Sequence, residues 1–192
     1  MQIPILRSCN RPAARGLTAN DMPAIHLVRH IAHPANELME MVADVESYPI
    51  FINLISALRI TKKTSETEFE AEAIVAYKML REAFKSKVLI DYDVCTIRVF
   101  KAEKGGALKT LENLWTFHTL DDGSTLIEFT VDVSLKAFPL NMLITQKMDK
   151  ASDVILGAFE RRAAQVCKPV ESAGIDIAAQ CRALGIKQTS AS

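Results

Sequence analysis

Residues 125–166 read TLIEFTVDVSLKAFPLNMLITQKMDKASDVILGAFERRAAQV, and the change of period inside this stretch decides the fold. From Thr125 to Leu135, the residues Ile127, Phe129, Val131, Val133 and Leu135 fall on every second position, so they share one face of a strand. Glu128, Thr130 and Asp132 take the other face. Pro139 then opens a different pattern. Leu140, Ile144, Met148, Ala151, Ile155, Phe159, Ala163 and Val166 step by three or four, the spacing of a helix with one apolar stripe. Gln146, Lys147, Lys150, Asp153, Arg161 and Arg162 fill its opposite side. The stripe runs for more than about seven turns at 3.6 residues per turn. A stripe that long must lie along something equally long, and only the apolar face of a sheet offers that.

Working toward the N-terminus, the period-two pattern repeats. Asp122-Gly123 is a strong hairpin signal, and Leu108 to Thr119 before it carries Trp115 and Phe117 on one side. Gly105-Gly106 marks a turn, preceded by a strand over Cys95 to Lys101 with Ile97 and Val99 on one side. Phe84, Ser86, Val88, Ile90 and Tyr92 alternate with Lys85, Lys87 and Asp91. Phe69, Ala71, Ala73, Val75 and Tyr77 alternate with Glu68, Glu70 and Glu72, which read as a solvated face that protects an edge. Residues 57 to 64 form one more candidate strand. Five or six consecutive strands with short turns predict an antiparallel meander. Ahead of them, Ala24 to Ile31 reads as a first strand, and His33-Pro34 breaks it. Leu38, Met41, Val42 and Val45 give Pro34 to Val45 helical spacing, and a second short helical piece surrounds Pro49. The order is strand, short helices, strands, long helix, an α+β arrangement with a curved antiparallel sheet around the C-terminal helix.

The organisation is one domain over residues 23–168, with a disordered extension or leader over 1–22 and a mobile tail over 169–192. Arg7, Arg11 and Arg15 with no acid resemble a mitochondrial presequence, and the plainer reading is an extension ahead of a start at Met22. The tail allows a short helix near Ile175 to Leu184. Among 192 residues, 23 basic and 23 acidic side chains cancel, which gives no footprint for DNA. Four cysteines without C-x-x-C spacing point to reduced thiols in the cytoplasm. No apolar run reaches the roughly 18 residues of a membrane span.

The chemistry of catalysis is sparse. The chain has no glycine-rich phosphate loop, no G-x-S-x-G and no H-E-x-x-H. His26 and His30 share a strand face but stand about 13 Å apart at the usual rise, too far to ligate one ion. No metal site is therefore expected, and the histidines read as outward residues of an edge strand. His118 lies opposite Trp115 and Phe117, on the outer face. Arg81-Glu82 falls between two strands, as a turn or an internal ion pair. The inward polar groups are Tyr77, Ser86, Tyr92 and Asn113, and no catalytic residue is assigned.

Four segments, in order, resemble one family. Val42-Ala-Asp-Val-Glu-Ser-Tyr-Pro-Ile-Phe51 is similar to the "V-x-D-V-x-x-Y-P-x-F" element of the coenzyme Q-binding, START-like proteins of the polyketide cyclase and lipid-transport superfamily. Arg81-Glu-Ala-Phe84-Lys-Ser-Lys-Val88 resembles its "E-x-F-x-S-x-V" strand. Leu111-Glu-Asn-Leu-Trp115-Thr-Phe117 resembles its "L-x-N-x-W-x-F" strand, and Ala158-Phe-Glu-Arg161-Arg-Ala its "A-F-x-x-R-A" helix end. Many relatives carry Pro-Trp, often followed by Cys, just after the first element. Asn53-Leu54 stands there instead, which bears on ligand preference.

The resemblance implies the helix-grip fold around an apolar tunnel. It implies a bound isoprenoid quinone such as ubiquinone, or another lipid, in support of respiratory electron transport, with no cofactor besides that ligand. It also implies a second reading, since bacterial relatives are described as ribosome association toxins that block subunit joining. A cyclase or hydratase is a third reading, weakened by the lack of an inward acid–base pair, so the chain is expected not to be an enzyme. The tunnel walls expected are Phe51, Leu54, Val75, Tyr77, Phe84, Val88, Trp115, Phe117, Phe129, Val133, Leu143, Met148 and Ile155. Met79, Met142 and Met148 suit a pocket that changes shape. Residues 138–144 are apolar and suit transient membrane contact. The expected location is the cytoplasm or the periphery of the inner membrane, or the mitochondrion if residues 1–21 are a presequence.

Overall fold

Alternation of β-branched and aromatic residues with charged ones builds the sheet, and one proline corner attaches the first strand to it. The computed structural model describes residues 25–77, 80–103, 106, 108–136, 138–171 and 174–186. The leader expected over residues 1–22 lies outside the described residues. The chain runs through β1 (Ile25–Ile31), α1 (Ala35–Ala43), a 3₁₀ turn (Val45–Ser47), α2 (Tyr48–Phe51) and β2 (Ile55–Lys63). It continues through β3 (Glu68–Tyr77), β4 (Leu80–Asp91), β5 (Thr96–Lys101), β6 (Leu108–Thr119) and β7 (Thr125–Leu135). It ends with α3 (Phe138–Val166) and α4 (Ile177–Leu184).

The seven strands form one antiparallel sheet in the order β1-β7-β6-β5-β4-β3-β2. Strands β2 to β7 are the expected meander, and β1 closes onto β7, with Leu27 opposite Phe129. The edges are therefore β1 and β2. The acids of β3 do not guard an edge, as their alternation suggested. They face the neighbouring strands, where Arg59 holds Glu72 at 2.6 Å, Lys62 holds Glu70 at 3.7 Å and Lys87 holds Glu68 at 2.6 Å. Cross-strand pairing satisfies the charges that a one-dimensional reading leaves to solvent.

Two other local expectations change. Strand β4 ends at Asp91, whose carboxylate accepts the N–H groups of Asp93 and Val94 and starts a turn. Tyr92 is thereby turned outward and is 50% exposed, not an inward group. Arg81 and Glu82 belong to β4 itself, with Glu82 opposite Val75 on the inner face. The Asp122-Gly123 hairpin forms as expected, Gly123 taking a φ of 81°. Cys95 is disulfide-bonded, which corrects the reading of uniformly reduced thiols. Cys167 and Cys181 are free and buried.

The 29-residue α3 is about 44 Å long at 1.5 Å per residue. Its buried Ser152, Leu156, Phe159 and Ala163 follow helical spacing and face the sheet. Arg29 of β1 pairs with Asp153 and Glu160 of α3, fixing the helix over β1. At the far end, His33 donates through Nδ1 to the Lys168 carbonyl at 2.9 Å, and Val170 N–H donates to the Ala32 carbonyl at 2.9 Å. The proline corner after β1 and the end of α3 are thus one hydrogen-bonded latch.

The short helix allowed near Ile175 to Leu184 forms as α4. Asp176 caps it by accepting the Ala179 N–H, and Gly185 ends it with a φ of 69°. The Ala- and Ser-rich composition by itself favours a mobile tail here. Instead, Cys181 joins Leu120 and Leu126 in a second apolar cluster, with Val28, Ile177 and Leu184 packed around it on the outer side of the sheet.

Candidate functional site

The inner face of the sheet can be read row by row from the register. Ile90, Ile97, Trp115, Phe129 and Leu27 stand side by side across five strands. Phe117, Ile127 and Arg29 form the next row toward the β6–β7 turn. This end is closed. Trp115 is 4% exposed, Phe117 1%, and Ile90, Ile97, Ile127 and Phe129 are also buried. Phe159 of α3 completes it, with ring centroids 4.9 Å from Trp115, 5.1 Å from Tyr48 and 5.2 Å from Phe51. Trp115 and Phe129 lie 4.4 Å apart. Such offset and edge-on pairs each add roughly 0.5–1.5 kcal/mol beyond burial.

The local sequence explains the plug. Pro49 at the start of α2 turns Tyr48 and Phe51 back toward α3. The Tyr48 hydroxyl donates to the Val42 carbonyl, which ties α2 to α1. Burial raises the Tyr48 hydroxyl far above its ordinary pKa, with a smaller push from the Asp44 carboxylate. It therefore stays a neutral donor, and the V-x-D-V-x-x-Y-P-x-F segment acts as a structural corner.

The other half of the inner face is looser. Val75, Phe84, Val99, Leu111, Asn113 and Val133 all point inward yet remain half-buried. Glu82 and Lys101 stand among them on the same face. A packed core buries its large apolar groups fully. These inward residues are less tightly covered than those of the aromatic end.

The expected wall residues therefore divide. Val88, Trp115, Phe117 and Phe129 belong to the tightly packed end. Phe51, Leu54 and Ile155 are partly buried and pack against that same cluster. Val75, Phe84 and Val133 line the looser half. Tyr77, Leu143 and Met148 lie outside the residues whose side chains are described, as does the apolar segment of residues 138–144. Phe159, Ile97 and Tyr48 belong to the packed end without standing among the expected wall residues. Phe159 was legible in the helical stripe, but its role as a hub needed the crossing of three elements. Leu54 and the exposed Asn53 sit at the corner between α2 and β2, beside this aromatic plug.

Two further features lie outside the interior. A groove of about 420 Å³ opens between α1, α2 and the end of α3, lined by Glu37, Glu40, Asp44, Phe51, Arg162 and Cys167 among others. Burial and the nearby Glu37 and Glu40 push the Cys167 thiol up, so it is a poor nucleophile. On the outer face, Glu128 accepts from His26 at 2.6 Å and from His118 at 3.4 Å. His30 is 2.8 Å from the Ser124 hydroxyl. Among the described residues, no group of three metal-ligating side chains is placed to hold an ion. Among them too, no helix is long and apolar enough to cross a membrane.

Comparison with known proteins fits this architecture. Residues 31–160 match the family described as polyketide cyclase / dehydrase and lipid transport. The ribosome association toxin RatA of Rickettsia prowazekii is 26% identical over 144 residues, covering 72% of this chain and 94% of the relative. The aromatase/cyclase Zhui of Streptomyces sp. R1128 superposes with a TM-score of 0.67 at 17% identity, covering 74% of this chain and 94% of that one. The 18 kDa protein CC1736 of Caulobacter crescentus superposes with a TM-score of 0.62 at 28% identity, covering 75% and 97%. The seven-stranded curved sheet and its helices are the helix-grip architecture of these neighbours.

Proposed function

Because the chain belongs to the polyketide cyclase / dehydrase and lipid transport family, we propose that it binds a lipid between the loose half of its sheet and α3, most simply ubiquinone or a related isoprenoid, and carries it in support of respiratory electron transport. The observation that supports this most is the strip of half-buried inward residues, Val75, Phe84, Val99, Leu111 and Val133. Each CH₂ of a polyisoprenoid tail gains about 0.8 kcal/mol when it leaves water for such a wall. The packed aromatic end stops the tail, and the polar Glu82 and Lys101 mark the side nearer solvent. Among the described residues the other inward groups are apolar apart from Arg29, Ser86, Asn113, Thr125 and Ser152, which supports binding over acid–base chemistry. The family also holds aromatase/cyclases, so turnover of an aromatic polyketide is the catalytic competitor.

The test is solvent extraction of the purified protein followed by mass spectrometry, with titration of added ubiquinone monitored by Trp115 fluorescence. Co-purified quinone or saturable quenching supports the proposal. No lipid in the extract and no response to ubiquinone removes it.

The relation to the ribosome association toxin favours a second reading, contact with a ribosomal subunit. RNA contact works through Lys and Arg side chains that meet phosphates, and cations already paired with carboxylates must exchange those partners. Lys85 and Lys87 are committed to Glu103 and Glu68, at 2.7 and 2.6 Å. Co-sedimentation with ribosomal subunits at two salt concentrations decides: binding that weakens with salt supports this reading, and no pelleting at low salt removes it.

A further inference from the structure

Asn113 is the polar member of an apolar row. By register, Phe69, Val88, Val99, Asn113, Val131 and Ile25 stand abreast across six strands, all on the inner face. Along β6, Leu111 and Trp115 flank it on that face. Its Oδ1 is enclosed and has no hydrogen-bond partner, alone in this among the side-chain atoms of the described residues. Buried carbonyl oxygens are nearly always paired, and an orphan calls for an explanation. The two neighbours nearest in the sheet, Val99 and Val131, offer no donor. Asn113 as a whole is only half-buried, and by register it stands at the boundary between the packed aromatic end and the looser half.

We propose that Asn113 is the polar anchor of the interior and that the ligand it takes carries a hydroxyl at its head. This rests on the lipid-binding reading above and narrows it to one chemical class. A hydroxyl both donates and accepts, so it satisfies the carboxamide in either orientation of its oxygen and nitrogen. With Oδ1 turned inward as it stands, an ether, ester or quinone carbonyl only accepts and leaves that oxygen unpaired. If the ligand is an isoprenoid quinone, the form held is the reduced quinol. The head then lies beside Trp115, and the apolar remainder runs along Leu111, Val133 and Phe84 toward the open side.

The experiment uses the full chain and two probes that differ in one bond, 4-pentylphenol and 4-pentylanisole. Trp115 is the single tryptophan of the chain, so its fluorescence excited at the red edge reports occupancy without labelling. Wild-type protein is expected to bind the phenol roughly tenfold more tightly than the anisole, the worth of one net hydrogen bond. Asn113→Leu is expected to bind both alike, at the wild-type affinity for the anisole. Removing the orphan also raises the Tm of the unliganded protein, by about 2–4 °C. Asn113→Val repeats the measurement with a strand-favouring residue should the leucine not be accommodated. Equal binding of the two probes by wild type, or a phenol preference that survives both substitutions, overturns the anchor and leaves lipid binding standing. No response of Trp115 to either probe overturns both.

Discussion

On the outer face, Glu128 sits between two histidine side chains, and that arrangement sets a pH signature. Hydrogen bonds from His118 and then His26 hold its carboxyl down to about 2 against partial desolvation. A carboxyl depressed on folding contributes stability above its ordinary pKa of 4.5 and loses it as pH falls toward about 2. Glu128→Gln is expected to lower stability at pH 7 by on the order of 1 kcal/mol, since the site is partly solvated. The gap between variant and wild type should narrow steadily from about pH 4.5 to about pH 2. Urea midpoints measured across that range check it, and a gap independent of pH would contradict the assignment. The sequence placed His118 outward by parity with Trp115 and Phe117. It could not place Glu128 against His26, because the two are 102 residues apart and meet only through the β1–β7 pairing. The same limit hid the orphan state of Asn113: its inward direction follows from period two, but the lack of a partner depends on Val99 and Val131 from other strands.

Two elements lend themselves to direct test. The β6–β7 hairpin turns on Gly123, whose φ of 81° lies in the left-handed region. An added Cβ would meet Val170 Cγ1 at 3.9 Å, an ordinary contact, so the cost of Gly123→Ala is backbone strain alone. About 1–2 kcal/mol is expected, read as a lower urea midpoint. The second element is α4. It shields Leu126, which is 0% exposed although it points to the outer side of β7. Ending the chain after Glu171 exposes Leu126 and Leu120. Leu126 alone is worth about 1.5–3 kcal/mol of burial, partly offset by the entropy of ordering the helix. A truncated chain as stable as the full one would show that α4 contributes nothing to the fold. The sequence allowed this helix but favoured a mobile tail, because Ile175 to Leu184 is too short to be stable by itself. Its anchor is the apolar side of Val28, Leu120 and Leu126, and that patch exists only once β1 and the β6–β7 hairpin are joined.

At the scale of the molecule, an interior that is packed at one end and loose at the other predicts a ligand-dependent stability. Anything that fills the loose half binds the folded state and not the unfolded chain. Ligand at 100 times its Kd should add about 2.7 kcal/mol. Thermal scans of delipidated protein with and without added ubiquinone check this, an unchanged Tm counting against an interior site. The ion-pair ladder across β2, β3 and β4 has a global consequence as well. It sets Lys87 against Glu68, while Lys85 meets Glu103 outside the ladder, so each lysine of β4 has an acid beside it. The sequence by itself determined the architecture, because period-two strands and one long apolar stripe allow few ways to bury both faces. It also determined the inward residues within the strands, since direction alternates with position, and missed only strand-end groups such as Tyr92 and Glu82. Tertiary structure alone decided which inward residues are packed and which stay half-buried. That distinction depends on how far Phe159 and α2 reach across the sheet, and no local pattern encodes a distance between elements remote in sequence.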